Sequence, residues 1–441
     1  MSDLNMSRVA EILVVGAGPA GLAAATTAAE RGRNVIVLDD NPDAGGQIWR
    51  PGLKQASQQS SPEIRARTKA IAAFRRSGAT LLSNRQVVEA REPGTLQALA
   101  GERIESFRWE RLIIATGARE RFLPFPGWTL PGVYGAGGLQ ALVKGGFSVH
   151  GKRIVVAGTG PLLLAVAAHL RQDGAQIMTV AEQAPWTQLL PFAASLWQKP
   201  EKLLQGTGYI QMLGSAPYRT GCWPVRANGK DSLTSVTLTD GNRQWTIECD
   251  ALACGFHLVP NTELTQLLGC SLTDSFVSVN EQQQSSVEGI YCVGEPTGIA
   301  GVDAALAQGE IAGLAAAGVS DIPAKLLARR SREQSFGAAL THAFRLRPEL
   351  KALAQAGTIV CRCEDVTFAQ LKARSGWTDA KLHTRCGMGP CQGRICGGAV
   401  ETLFGWRVAS VRPPLFPIPV AAFCESGSDA HASTYLQETS S

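Results

Sequence analysis

Apolar and polar positions fall in blocks along this chain, and the length and period of each block decide the element it predicts. Residues 9–15, VAEILVV, end in an unbroken apolar run, which suits a parallel strand covered on both faces. An alanine-rich stretch follows, with Pro19 placed to open a helix and Gly32 to close it. NVIVLDD is a second strand that ends at Asp39. Residues 63–76 predict a helix and 79–83 a strand. A polar hairpin region then leads to Leu112–Ile114, a strand that runs into the sharp turn Ala115-Thr116-Gly117-Ala118.

The same pattern starts again at KRIVVA, residues 152–157, with a helix from GTGPLLLAVAAHLRQDG and a strand from QIMTVAEQ. Residues 184–221 read as helices and loops and carry Trp186 and Trp197. SVTLTDGNRQWTIECD alternates around Asp240-Gly241 and predicts a two-stranded hairpin. DALACGF then returns the chain to the first unit, and VEGIYCVGEPTGIAGVDAALAQGEIAGLAAAG supplies the last strand and helix of that unit.

Strands alternating with helices make this an α/β chain with two Rossmann-like dinucleotide-binding domains of the FAD/NAD-linked reductase type. Pro124, Pro126, Pro131 and the glycines of residues 135–138 mark the break between them. The expected division is a first domain from residues 1–140 and 251–325, a second from 141–250, a helical linker at 326–357 and a small helical module at 358–408. A proline-rich tail at 409–441 should be extended and lie along a surface or a partner.

Composition narrows the function. A length of 441 residues calls for two or three domains, and an apolar share of 45% with 18% charged residues is that of a globular protein. The net charge of +5 is small for this length, and no basic run interleaved with aromatics appears, so nucleic acid is not an expected partner. AKLLARRSREQ at 324–334 is either a solvated helix face or a patch for a protein partner. The N-terminus lacks the pattern of a secretion leader and no apolar run approaches about eighteen residues, which reads as a cytoplasmic protein. Attachment at the inner face of a membrane through a partner stays open. Cys222, Cys249, Cys254, Cys270, Cys292 and Cys424 are scattered and read as core thiols. His169 and His257 sit among apolar residues, and His431 with the Ser/Thr-rich end is given no role.

The first candidate site is the glycine turn. Gly16 permits the tight turn, Gly18 lets the backbone approach a pyrophosphate, and Gly21 allows close packing of helix on strand, with Pro19 and Ala20 between them. Free N–H groups at the helix start face the phosphates, and Asp39 stands where an acid accepts ribose hydroxyls. Gly46 and Gln47 lie in a loop that either rests on a flavin or is a plain surface turn. Ala115, Thr116 and Gly117 return the chain close to the cofactor. Gly294 and Glu295 end the last strand, where a carboxylate can accept a ribityl hydroxyl.

In the second unit Gly158 and Gly160 hold two fingerprint positions, Leu163 replaces the third glycine, and Glu182 is the candidate ribose acid. Leu163 requires a locally wider packing of helix on sheet. Whether NAD, ATP or nothing occupies this unit is left open by its residues.

The second candidate site is a run of cysteines. Cys361 and Cys363 flank one residue, and Cys391 and Cys396 flank QGRI, so the four can converge on one centre; Cys386 is a substitute ligand. Gly387, Gly389 and Gly393 leave backbone N–H groups free to point at the sulfurs. VTFAQLKARSG predicts a helix between the pairs, with Thr367 as its cap. Four thiolates suit a [2Fe-2S] cluster and equally a structural zinc.

On Gly16-Ala17-Gly18-Pro19-Ala20-Gly21, Asp39, Ala115-Thr116-Gly117 and Gly294-Glu295 the chain resembles the two-dinucleotide-domain flavoproteins, although Glu295 stands where an aspartate is usual. From Cys361 to Gly397 it resembles the bacterioferritin-associated-ferredoxin-like module. Taken with TRCGMGPCQGRICG and VRPPLFPIPV, the whole resembles the alpha subunits of opine oxidases, hydrogen cyanide synthase and D-hydroxyproline or related dye-linked dehydrogenases.

That resemblance implies FAD and a [2Fe-2S] cluster on this chain, FMN at a subunit interface, and a beta subunit of the D-amino-acid-oxidase type that oxidises the amine. A small gamma subunit is a further candidate partner, and a respiratory acceptor takes the electrons. No catalytic side chain is then expected here. The rival expectations are a self-contained NADH-dependent flavin reductase, which Leu163 and the lack of a redox CxxC pair disfavour, and a scaffold or redox sensor with structural zinc.

Overall fold

The computed structural model describes residues 8–50, 62–407 and 411–422. Cys424, His431 and the Ser/Thr-rich end lie outside the described residues, as do residues 1–7. Strand Arg8–Val15 sits inside a parallel sheet, with Val35–Leu38 on one side and Arg103–Ile114 on the other, in register Leu13 to Leu112. Ile12, Leu13 and Val14 are almost wholly buried, which is why their run is unbroken by polar residues. Thr80–Leu82 extends the sheet beyond Val35–Leu38, and Ile290–Cys292 pairs with Leu112–Ile114.

The polar region after residue 83 builds more sheet than its sequence announces. Gln86–Glu89, Thr95–Ala100 and Arg103–Ile114 form an antiparallel meander, so Leu112–Ile114 are the closing residues of one long strand. Its earlier part keeps a wet face, and it becomes fully buried where it enters the parallel half of the sheet.

Two helices, Pro19–Ala29 and Val302–Ala316, cover the same face and touch backbone to backbone. A Cβ at Gly309 would lie 2.3 Å from the carbonyl oxygen of Ala20, and one at Gly313 would lie 2.5 Å from that of Ala24. The N-caps of these helices are Gly18 and Gly301, neither with a capping side chain. Both helix starts therefore keep free N–H groups at the carboxyl edge of the sheet.

The second unit is a five-stranded parallel sheet in the order Tyr218–Thr220, Gln176–Glu182, Arg153–Thr159, Ala251–Phe256, Val133–Gly135, so residues 133–135 and 251–256, expected in the first domain, pair in the second. The hairpin at Asp240-Gly241 forms as its alternation predicts, with Asp240 accepting the N–H groups of Asn242 and Arg243. A third strand, Trp223–Asn228, pairs with it and was hidden in the sequence by Pro224. Leu163 is buried in a core with Ile154, Val156 and Val166, so the missing glycine is answered by a side chain that fills the wider gap. The two crossings between units, Ala118–Glu120 and Leu258–Pro260, pair antiparallel and form one ribbon.

Helix Ala324–Ala343 leaves the first unit and crosses to the second, anchored by a buried ion pair between Lys199 and Glu333 with the Phe336 ring 4.7 Å from the ammonium. Its basic residues are engaged within the chain: Arg329 pairs with Glu310, Arg332 with Glu333, and Arg330 binds the carbonyl of Glu281. The module beyond it is a short ribbon, Ile359–Cys361 with Val366–Thr367, and helices Phe368–Lys372, Trp377–Thr384 and Cys396–Phe404. Thr367 caps as predicted, in a reciprocal box with Gln370. In the tail, Leu415 is buried and its N–H donates to the carbonyl of Val88. Among the described residues no helix is long and apolar enough to cross a membrane.

The helix contact gives a direct test. Gly309→Ala should lower stability by about 1–3 kcal/mol, because the new methyl group has to displace backbone. Gly206→Ala, on an open helix surface with nothing within 4 Å of the added carbon, should leave the thermal midpoint unchanged or raise it slightly.

Candidate flavin and metal site

The glycine turn is shaped by what it excludes. Gly16 has φ +104, and a Cβ there would fall 2.3 Å from the Ala115 carbonyl oxygen; a Cβ on Gly21 would fall 1.8 Å from that of Gly16. At Gly18 no atom of the described residues lies within 4 Å of where a Cβ would stand, so that space is open to a ligand. Pro19 occupies the first helical turn and Ala20 packs beside Gly294. Asp39 is buried and accepts the Ala17 N–H together with the backbone and side-chain N–H groups of Asn41. The Gly45 N–H donates to the Ala17 carbonyl, and a Cβ on Gly46 would sit 3.0 Å from the Gly18 Cα. The loop thus lies directly on the turn, while Gln47 is exposed.

Gly294, at φ +77, donates its N–H to the buried Gln308 side chain at 2.7 Å. Glu295 opens the short turn that follows. Burial pushes its carboxyl up to about 7 against the pull of the Gly301 N–H, and its Oε2 is buried with no partner among the described residues. An orphaned acceptor next to two uncapped helix starts and an open glycine cradle fits a dinucleotide flavin, whose hydroxyls and phosphates supply the missing donors and negative charge.

The turn at residues 115–117 is held from a distance. The Thr116 hydroxyl donates to the Asn261 carbonyl at 2.7 Å, the Asn261 side-chain amide donates to the Thr116 carbonyl at 2.9 Å, and the Asn261 N–H donates to that of Gly117 at 3.0 Å. Arg119 continues the chain of contacts, with its guanidinium on Asn261 Oδ1 at 2.7 Å and on Glu263 at 2.8 Å. Neither Asn261 nor Arg119 carries a sequence signal, since the partners are more than a hundred residues apart.

All five late cysteines meet. The sulfurs of Cys361, Cys386 and Cys396 lie within 4.8 Å of one another, Cys391 is in hydrogen-bond contact with Cys396, and Cys363 with Cys391. Cys386 is thus fully buried beside Cys361 and Cys396, while Cys363 is the exposed member. Hydrogen bonds from Cys386 and Cys396 draw the Cys361 thiol down to about 2. Backbone N–H groups of Gly387 and Glu364 point at Cys361, that of Cys391 at Cys363, and those of Ile395 and Gly393 at Cys391. Such donors favour thiolate and suit a metal centre. Gly389 acts differently from its neighbours: a Cβ there would fall 2.2 Å from the Cys363 Cβ, so it is needed for close approach. The donor set fits a metal held by four thiolates, with one thiol to spare.

In the second unit the corresponding turn is closed from inside. Glu182 is completely buried, its Oε2 accepting the Gly160 N–H and its Oε1 the Thr159 hydroxyl and the Ala184 N–H, each at 2.8 Å. Both oxygens thus accept groups of the turn and of the residues after the strand, as Asp39 accepts the Ala17 N–H in the first unit. Burial pushes this carboxyl up to about 7. Gly158 is buried against Gly255. Residues 344–347 lie across the strand ends: Thr159 donates to the Phe344 carbonyl, and Gln183 binds the Arg345 carbonyl and the Arg347 N–H.

Comparison with known proteins agrees with this geometry. Residues 10–309 match the family described as pyridine nucleotide-disulphide oxidoreductase. The chain is 32% identical to hydrogen cyanide synthase subunit HcnB of Pseudomonas protegens, over 93% of its length and 97% of the relative. It is 33% identical to the A component of opine oxidase of Rhizobium meliloti, over 92% and 97%. Among solved structures, L-proline dehydrogenase from P. horikoshii superposes with TM-score 0.68 at 18% identity, covering 94% of this chain and 79% of that one. Thioredoxin reductase of T. acidophilum gives 0.55 at 21% identity, covering 70% and 98%. At these identities the structural likeness is one of fold.

The orphaned carboxyl sets a pH dependence. Its folded value near 7 lies above the ordinary 4.5, so the flavin-free protein binds a proton at Glu295 that the unfolded chain gives up. The stability this contributes is complete below about pH 4.5 and is lost as pH rises through about 7. Urea midpoints of flavin-free protein should fall over that window, and Glu295→Gln should remove this part of the slope.

Proposed function

Because the chain belongs to the pyridine nucleotide-disulphide oxidoreductase family, we propose that it is the electron-transferring alpha subunit of a hetero-oligomeric FAD/[2Fe-2S] amine dehydrogenase or oxidase. The substrate class is an opine, hydroxyproline or a similar secondary amine, oxidised on a separate beta subunit of the D-amino-acid-oxidase type. The observation that carries this reading is the convergence of the Cys361, Cys386 and Cys396 sulfurs, with Cys391 and Cys363 in contact beyond them, on a module fastened to the turn beside the flavin cradle. Two relatives that match over nearly their whole length are themselves named as subunits, which supports a complex of several different chains.

In this reading the N–H groups around Gly16, Gly18 and Gly21 hold the FAD pyrophosphate, Asp39 orders the loop that meets the ribose, and Glu295 takes a ribityl hydroxyl. Cys361, Cys363, Cys391 and Cys396 hold the cluster, paired as the two short sequence spacings place them, with Cys386 buried alongside. When bound, the flavin exchanges electron pairs for single electrons and the cluster handles one at a time. This chain's residues fix both groups, keep water from the buried side of the cysteine loop, and leave Cys363 at the surface for a respiratory acceptor, with attachment at the inner face of the membrane through that partner. FMN belongs at the interface with the beta subunit, and a small gamma subunit completes the complex.

The NADH-dependent reductase reading is disfavoured by Leu163 in place of the third fingerprint glycine and by the segment 344–347 across the strand ends of the second unit. Anaerobically purified protein should contain FAD, iron and acid-labile sulfide, and should be reduced by the amine only with the beta subunit present. Cys361→Ser or Cys391→Ser should lose the iron and Cys386→Ser should keep it. Zinc without sulfide, or rapid bleaching of the isolated chain by NADH, overturns the proposal.

A further inference from the structure

One side chain joins the two halves of the site. The Arg119 guanidinium binds Asn261, which is fastened by three hydrogen bonds to Thr116 and Gly117 beside the flavin cradle. Its Nε donates at 3.0 Å to the carbonyl of Arg394, which lies inside the loop between Cys391 and Cys396. Arg394 in turn bonds the carbonyls of Cys391 and Leu415 and stacks 3.8 Å from the Phe416 ring. Beneath the same loop, Val259 of the crossing ribbon lies against Gly398, at 3.1 Å from where a Cβ would stand. The cysteine loop is therefore gripped at its backbone from the ribbon that also carries the flavin-side turn.

Resting on the iron–sulfur reading above, we propose that Arg119 is a positioning residue: it fixes the Cys391–Cys396 loop relative to the Thr116-Gly117 turn, and so sets the separation and surroundings of the two redox groups. A planar guanidinium suits this task, since it serves Asn261, Glu263 and a carbonyl at once in fixed directions. A lysine ammonium in its place keeps the charge opposite Glu263 but cannot span all three.

The test uses the full chain as purified with its cofactors. In Arg119→Gln and Arg119→Lys, iron and flavin contents should match wild type. The electron paramagnetic resonance spectrum and midpoint potential of the cluster should shift, and amide exchange at residues 392–395 should quicken. Reduction of the cluster after photoreduction of the flavin should slow several-fold relative to wild type. Glu263→Gln, which removes only the ion pair, should leave the spectrum and potential at the wild-type values. If iron-loaded Arg119 variants match wild type in spectrum, potential and rate, the positioning role is overturned and the iron–sulfur reading stands. If wild-type protein holds no iron, the iron–sulfur reading falls and takes this inference with it.

Discussion

Everything at the flavin site depends on two helices lying closer than side chains ordinarily allow. Pro19–Ala29 and Val302–Ala316 start almost three hundred residues apart, and they share one patch of sheet because Gly309 and Gly313 present no side chain to the carbonyls of Ala20 and Ala24. Dispersion between tightly packed backbones replaces the usual layer of leucines and valines. The benefit is electrostatic as much as steric. Both helix starts are uncapped, with Gly18 leaving space for phosphate and Glu295 an acceptor unfilled among the described residues, so a bound dinucleotide satisfies groups that the apoprotein strands in a buried place.

Local chemistry was legible in the sequence and long-range chemistry was not. The turn Gly16–Gly21, the cap at Thr367 and the Asp240-Gly241 hairpin are each written within a few residues, and each forms where its pattern places it. The cysteines depart from their spacing: the three sulfurs within 4.8 Å of one another are those of Cys361, Cys386 and Cys396. Trp223–Asn228 escaped because Pro224 argues against a strand, and only the finished sheet shows that this residue borders a register shift. Asn261, Arg119 and the cover at residues 344–347 had no local mark at all. Glu182 shows a related case: the donors that fill its oxygens lie inside the turn, where the sequence pattern does not display them.

The crossing ribbon Ala118–Glu120 with Leu258–Pro260 is the mechanical centre of the molecule. The two dinucleotide units meet there, and the cysteine module is fastened to it through Arg119, Val259 and, a few residues on, the Trp128 indole N–H bonded to the Ile359 carbonyl. A third body placed on such a joint restrains it. Rotation of one unit against the other would have to tear contacts that hold the sulfur loop, so the joint is a fixed bracket for that loop.

The segment from Phe344 to Arg347 is covalently attached to the surface it covers, so its local concentration there is set by a short tether, at about the millimolar level or above, and does not fall on dilution. Its hydrogen bonds to Thr159 and Gln183 hold it against the strand ends, and the second unit thereby steadies the polypeptide that leads to the cysteines.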